Sequence, residues 1–175
     1  MEGITENRKT PFIACVSGCK NSGKTAFLTG LLSVLKKKGL RTAVIKHDGH
    51  SFEPDVPGTD SYRLRKAGAE GVAVFCSTHC MIIKNKRTAA EELLTEYADM
   101  DLILFEGLKD SSYPKFEIVR SANSDHMVCA PETVIAVASD CPAGTFPGSL
   151  KQIGLADYEK AADMLLALSK QAASG

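Results

Sequence analysis

The sequence lacks an excess of charge of either sign, a long apolar run and a leader-like N-terminus. Lys and Arg number 21, as do Asp and Glu, so the overall charge does not predict binding to nucleic acid or to an anionic membrane. No apolar run approaches the ~20 residues that a membrane-spanning helix requires. The first residues, MEGITENRKT, are polar and lack the apolar core of a signal peptide. These absences predict a cytoplasmic protein without a membrane segment or a nucleic-acid partner.

The six cysteines form no pattern that predicts a disulfide framework. They are spread over 175 residues, a length typical of one domain with a sizeable core rather than of a small disulfide-stabilised fold. Internal repeats, long linkers and low-complexity segments are absent as well. We therefore expect reduced thiols and a single domain over residues 1–175, with residues 1–10 as a flexible N-terminal tail.

Segments typical of strands alternate with segments typical of helices. FIACVS and RTAVIKH are short apolar runs, and between them KTAFLTGLLSVLKKKG carries apolar residues at helical spacing. GVAVFCS and CMIIK resemble two strands around a tight turn, and DLILFEG, KFEIVR and TVIAVAS are further candidate strands. Helices are predicted for DSYRLRKAG, TAAEELLTEYA and DYEKAADMLLALSKQ. This order predicts the α/β class, a P-loop NTPase-like three-layer αβα fold with a mainly parallel sheet.

The segment GCKNSGKT, between the first strand and the first helix, fits the phosphate-loop pattern GxxxxGK[ST] in full. Glycines let backbone N–H groups turn inward around an anion, at the positive end of the helix dipole. Lys24 can reach the β- and γ-phosphates, which makes it a catalytic candidate, and the Thr25 hydroxyl can ligate Mg²⁺. Lys20 is expected near phosphate as a solvated side chain. The predicted nucleotide contacts are Gly18, Cys19, Lys20, Asn21, Ser22, Gly23, Lys24, Thr25 and Ala26.

A P-loop protein also requires an acidic group for Mg²⁺, and DLILFEG offers two. Asp101 begins this predicted strand and Glu106 ends it, roughly 16 Å away. Ligands of parallel α/β sheets lie at the carboxyl ends of the strands, so Glu106 is the predicted Mg²⁺ ligand and catalytic acid. Gly107 would let the backbone approach the site, and Asp101 is expected in solvent. The alternative for Glu106 is an ordinary loop carboxylate.

The loop after the second strand leaves the sheet at the same edge. Loops in this position approach the γ-phosphate and Mg²⁺ in NTPases. Asp60 has an alternative role as the N-cap of the following helix. His47 and His50 of this loop, together with the cysteines of CSTHC, also form a weak zinc- or nickel-binding pattern. Ordinary polar loop residues are the better interpretation of these side chains. The predicted nucleotide contacts of this loop are His47, Asp48, Gly49, His50 and Asp60.

Asp140 follows the predicted buried strand Thr133–Ala138. A carboxylate in this place can accept hydrogen bonds from two N–H groups of guanine, and adenine offers no such pair. An Asp that begins a turn before CPAG is the alternative. Asp140 is therefore a candidate guanine contact.

The motifs GCKNSGKT, VIKHDGH, PGTDSYRLRKAGA, LILFEGLK and VIAVASD, in this order, resemble those of the molybdopterin-guanine dinucleotide biosynthesis adapter protein (MobB) family. The resemblance runs from about Phe12 to Asp140. It implies a P-loop fold, a homodimer, and binding of GTP with Mg²⁺. It also implies that the protein hydrolyses GTP only weakly. It also implies a partner, the guanylyltransferase that attaches GMP to molybdopterin, with molybdopterin or molybdoenzyme chaperones as further candidates. By position, Gly18 to Thr25 would hold phosphates and Mg²⁺, His47 to His50 and Asp60 would line the site, and Glu106 and Gly107 would lie beside it.

Two other functions are compatible with the residues themselves. One is a small-molecule kinase that uses the same loop with ATP, and the other is a metallochaperone GTPase that uses His47 and His50. A kinase usually brings an arginine-bearing lid over the phosphates. The one candidate for such a lid, Ile83–Thr88, reads as a turn before a helix.

Overall fold

The computed structural model describes residues 10–124 and 126–174, so residues 1–9 of the expected tail lie outside the described part of the chain. The chain divides into two compact units, one formed by Met1–His47 with Leu94–Gly175 and the other by Asp48–Leu93. The prediction of a single domain stays a prediction. The elements are β1 Phe12–Ser17, α1 Lys24–Lys37, β2 Thr42–Lys46, α2 Asp60–Lys66, β3 Gly71–Phe75, β4 Cys80–Lys84, α3 Ala90–Glu96, β5 Leu102–Glu106, β6 Lys115–Val119, a 3₁₀ turn Pro131–Thr133, β7 Val134–Ser139, β8 Gln152–Ile153 and α4 Tyr158–Ser174.

A six-stranded sheet in the order β2-β5-β1-β6-β7-β8 forms the centre of the first unit. Every pairing in it is parallel, which confirms the α/β class and the parallel sheet. β5 lies between β1 and β2, so the crossover through α1 passes one intervening strand. Because parallel strands point the same way, the segments that follow β1, β2, β5, β6 and β7 meet at one edge.

Helices α1 and α4 cover one face of this sheet. Phe27, Leu31 and Leu35 of α1 are buried at the predicted helical spacing. The ring of Phe27 lies 5.8 Å from the rings of both Phe116 and Tyr158, so α1 is packed against β6 and against the start of α4. This packing fixes the first turn of α1 at the edge where the strands end. No helix of the described residues is long and apolar enough to span a membrane.

The second unit contains α2 and the antiparallel hairpin of β3 and β4. The predicted tight turn is present, and the Cys76 N–H donates to the His79 carbonyl at 2.8 Å. The prediction that Asp60 is the N-cap of α2 is wrong, because Thr59 has that position. Thr59 is extended and its hydroxyl accepts from the Tyr62 N–H at 3.3 Å, while Asp60 is the first helical residue.

Two predicted boundaries also change. β7 runs from Val134 to Ser139 rather than over Thr133–Ala138, because Thr133 closes the 3₁₀ turn and donates to the Ala130 carbonyl. Ile83 and Lys84 of the candidate lid belong to β4 and pair with β3, so this segment is not wholly a turn. Ser139 therefore ends its strand, and Asp140 is the first residue past the sheet.

Candidate functional site

The loop between β1 and α1 is shaped by three residues with left-handed backbone angles. These are Gly18 (φ 140°), Asn21 (φ 61°) and Gly23 (φ 95°). At Gly18 an added Cβ would lie 2.4 Å from the Ile118 carbonyl oxygen of β6, so only glycine lets the loop pass this strand. Turns of this kind aim successive N–H groups into one concave space, which is how proteins enclose phosphate.

The first turn of α1 adds N–H groups and a cation to this space. The first hydrogen bond of the helix runs from the Phe27 N–H to the Gly23 carbonyl at 3.0 Å. The N–H groups of residues 24–26 therefore have no acceptor within the helix and remain available to a ligand. Lys24 Nζ reaches back across the loop and donates to the carbonyls of Gly18 at 3.3 Å and Cys19 at 2.6 Å. A positive helix end and an ammonium group therefore converge on the same loop.

Thr25 and Glu106 meet at the end of β5. The Thr25 hydroxyl lies 3.0 and 2.9 Å from the two carboxylate oxygens of Glu106. Lys46 Nζ, at the end of β2, lies 3.3 Å from Glu106 Oε1, and the Glu106 side chain is only 9% exposed. Asp101 lies at the opposite end of β5, where its carboxylate accepts from the Arg41 N–H at 2.8 Å. The structure thus brings Glu106 rather than Asp101 to the loop. The ion pair of Lys46 with Glu106 was not predicted from the sequence.

His47 and Gly107 adjoin this cluster. The His47 N–H donates to the Glu106 carbonyl at 3.0 Å, which extends the β2–β5 ladder by one residue. A Cβ at Gly107 would lie 3.2 Å from the His47 carbonyl oxygen, so Gly107 does allow close approach of two backbones. The remaining candidates of that loop, Asp48, Gly49, His50 and Asp60, belong to the second unit. Their nucleotide contacts stay predictions.

Asp140 holds a turn that follows β6. Its Oδ1 accepts from the Ser121 N–H at 2.7 Å. This hydrogen bond and the nearby Arg120 charge hold the pKa of Asp140 below its ordinary value. The Asn123 amide of the same turn donates to the Lys20 carbonyl of the phosphate loop at 3.0 Å. The sequence did not point to this turn, although Arg120 ends the predicted strand KFEIVR, and the end of a predicted strand is the signal that selected Glu106.

The cysteines have contrasting environments. Burial raises the pKa of the Cys15 thiol in β1, and burial with the Glu117 charge raises that of Cys129, in the segment between β6 and β7, to about 12, so both are protonated thiols. Hydrogen bonds, the largest from the Thr78 hydroxyl, lower the pKa of the exposed Cys76 to about 7. Over residues 10–124 and 126–174, no three His, Cys, Asp or Glu side chains converge in a way that could hold a metal ion.

Comparison with known proteins gives a consistent result. The sequence model of the family described as Molybdopterin guanine dinucleotide synthesis protein B matches residues 13–140. The molybdopterin-guanine dinucleotide biosynthesis adapter protein of Escherichia coli K12 is 35% identical over 130 residues, 69% of this chain and 74% of that protein. The protein with this name from Haemophilus influenzae is 30% identical over 79% of this chain and 80% of its own length. The crystal structure of Bacillus subtilis MobB superposes on this chain with a TM-score of 0.71 at 28% sequence identity. The superposition covers 89% of this chain and 96% of the Bacillus subtilis chain.

Proposed function

Since the chain belongs to the MobB family of adapter proteins in molybdopterin guanine dinucleotide biosynthesis, we propose that it binds GTP and Mg²⁺ at the phosphate loop. In that state it would assist the guanylyltransferase that attaches GMP to molybdopterin. Hydrolysis of GTP would be weak at most. The proposal extends to a cytoplasmic homodimer that also meets molybdopterin or molybdoenzyme chaperones.

The contact between Thr25 and Glu106 carries the nucleotide part of this proposal. A hydroxyl at the start of the loop helix and a carboxylate at the end of the neighbouring strand are the protein ligands that Mg²⁺ takes in P-loop proteins. Here they lie 2.9 and 3.0 Å apart although 81 positions separate them in the chain. Mg²⁺ bound there would neutralise charge on the β- and γ-phosphates. The donor set therefore fits a magnesium nucleotide.

The other residues would divide the nucleotide between them. The backbone of Gly18 to Ala26 would donate to phosphate oxygens, and Lys24 would turn from the loop carbonyls to the β- and γ-phosphates. Asp140 would accept from guanine with the oxygen lone pairs that Ser121 leaves free. His47, Asp48, Gly49, His50, Asp60 and Gly107 are proposed to line the rest of the site.

The proposal is tested by coupling nucleotide binding to partner binding. Immobilised chain would be offered purified guanylyltransferase with GTP, with ATP and without nucleotide, and retention measured. We expect retention to rise with GTP for the wild type but not for Lys24→Ala. Lys37→Ala, which removes an exposed lysine from the other end of α1, is the matched control and should behave as the wild type.

Several results would contradict the proposal. Equal binding of ATP and GTP, with phosphate transfer to a small molecule, would favour a kinase. Stoichiometric zinc or nickel binding to tag-free protein that is lost in His47→Ala and His50→Ala would favour a metallochaperone. If the retention of the guanylyltransferase is the same with and without nucleotide, the adapter role does not depend on nucleotide binding at the phosphate loop.

A further inference from the structure

The turn after β6 lies directly against the phosphate loop. In this turn, residues 120–124, the N–H groups of Asn123 and Ser124 donate to the Arg120 carbonyl at 2.8 and 2.9 Å. The Asn123 side chain bonds the carbonyl of Lys20. A Cβ added to Gly23 would lie 3.4 Å from Nη2 of Arg120 and 3.7 Å from its Cζ, so the guanidinium lies over the loop glycine that precedes Lys24.

This turn is held from two sides, which fixes the starting point of the Arg120 side chain. On one side, Asp140, which follows β7, accepts a hydrogen bond from the Ser121 N–H at 2.7 Å. Glu117, fully buried on β6, accepts from the N–H groups of Val128 and Cys129 and so holds the chain beyond the turn. Anchors of this kind reduce the entropy that a side chain loses when it binds a ligand.

The chemistry of a guanidinium in this place indicates its ligand. In a P-loop, the backbone at the positions of Gly23 and Lys24 binds the phosphates of the nucleotide. The base lies at the other end of the nucleotide, away from this backbone. A guanidinium offers five donors in a planar fork that matches the geometry of phosphate oxygens. Gly23, without a side chain, leaves the path between the guanidinium and the loop open.

We propose that Arg120 is a phosphate-binding residue of this site and, together with Lys24, donates to the β- and γ-phosphates of the nucleotide. Asp140 and Asn123 are then positioning residues, because they hold the turn that carries Arg120. The inference rests on the proposed nucleotide binding. It adds to the lysines of the site an arginine that the phosphate-loop pattern does not contain.

The test uses the intact chain and a series of guanine nucleotides of decreasing charge. Calorimetric affinities for GTP, GDP and GMP would be measured for the wild type, Arg120→Gln and Arg120→Lys. Arg41→Gln is the matched control, because Arg41 is an exposed arginine at the opposite edge of the sheet. We expect Arg120→Gln to lose about tenfold or more in GTP affinity, ~1.4 kcal/mol, less for GDP and least for GMP. Arg120→Lys should recover part of the loss, because it keeps the charge but not the fork.

The outcomes separate this inference from the function on which it rests. GTP affinity of Arg120→Gln equal to that of Arg41→Gln overturns the role of Arg120, provided that Lys24→Ala shows the loop to be the site. An equal loss for all three nucleotides also overturns it, since Arg120 would then contact the α-phosphate, the ribose or the base rather than the β- and γ-phosphates. If the wild type does not bind GTP, the proposed function fails and this inference fails with it. Circular dichroism of each variant shows whether a loss of affinity reflects unfolding.

Discussion

Replacing Glu106 with Gln is expected to raise the Mg²⁺ concentration needed for tight GTP binding by about tenfold to hundredfold. Gln has almost the shape of Glu and keeps one oxygen that can accept the Thr25 hydroxyl, so the end of β5 should remain in place. The substitution removes the negative charge itself. Lys46, whose side chain is 59% exposed, can be solvated without its partner, so little stability should be lost.

The magnitude follows from the burial of Glu106. Its side chain is 9% exposed, so water screens its charge far less than it screens a surface carboxylate. Interactions that involve a charged group under such conditions contribute about 1.5–3 kcal/mol. That range corresponds to roughly one to two orders of magnitude in an apparent binding constant.

The assay is a titration of Mg²⁺ at fixed GTP, with nucleotide binding as the readout. Asp101→Asn is the matched control, since it removes a carboxylate from the other end of the same strand, where Asp101 is exposed and bonds the Arg41 N–H. We expect the Mg²⁺ midpoint of this control to equal that of the wild type. An unchanged midpoint for Glu106→Gln, or a shift in Asp101→Asn alone, would refute the assignment of the magnesium site.

Three further predictions concern the loop, the base and the packing of α1. Lys24→Ala should lower GTP affinity at least tenfold, ~1.4 kcal/mol, by calorimetry, and an unchanged affinity in a folded variant would remove the loop from the site. Asp140→Asn should lose a GTP-over-ATP preference of roughly thirtyfold, on the order of 2 kcal/mol, and should gain affinity for xanthosine triphosphate. The reason is that an amide can still bond the Ser121 N–H but cannot accept hydrogen bonds from both guanine donors. Full retention of the GTP preference would mean that other groups read the base. A Cβ at Gly30 would lie 2.3 Å from Cζ of Tyr158, so Gly30→Ala should lower the free energy of unfolding by about 1–3 kcal/mol in thermal melts, instead of the usual gain for Gly→Ala in a helix. The loss should vanish in a Tyr158→Ala background, and its persistence there would point to another cause.

Much of the fold could be predicted because each element carries its own local signal. β1, α1 and β5 lie where apolar runs and helical spacing place them. The contact of Glu106 with Thr25 could also be anticipated, since it requires only that parallel strands share a carboxyl edge. The cap of α2 could not, because Thr59 and Asp60 are both good capping residues and only the backbone angles decide between them.

What the sequence could not predict depends on partners that lie outside the element concerned. In KFEIV, charged and apolar residues alternate as in a half-exposed strand, yet Lys115 and Glu117 are fully buried. Lys115 Nζ donates to the Ser111 carbonyl at 2.6 Å and to the Thr133 hydroxyl at 3.0 Å. Hydrogen bonds of this kind offset the cost of burying charge, and no local pattern announces them. The turn that carries Arg120 is likewise held by other elements, through Asp140 and the Lys20 carbonyl, 19 and 103 positions away.

The strand order also determines when a growing chain can first bind nucleotide. The bonds that complete the site join residues far apart: 81 positions for Thr25 with Glu106, 90 for Ser17 with Gly107 and 103 for Lys20 with Asn123. Closing such loops costs entropy before any contact contributes, so these pairings form late in folding. At about 5–20 residues per second, a ribosome would make the turn after β6 roughly 5–20 s after β1. For most of that interval the apolar strand β1 has neither neighbour, because β5 and β6 are made only towards its end. Until then GTP has no completed site to bind, so it can act only as a ligand that selects the completed fold.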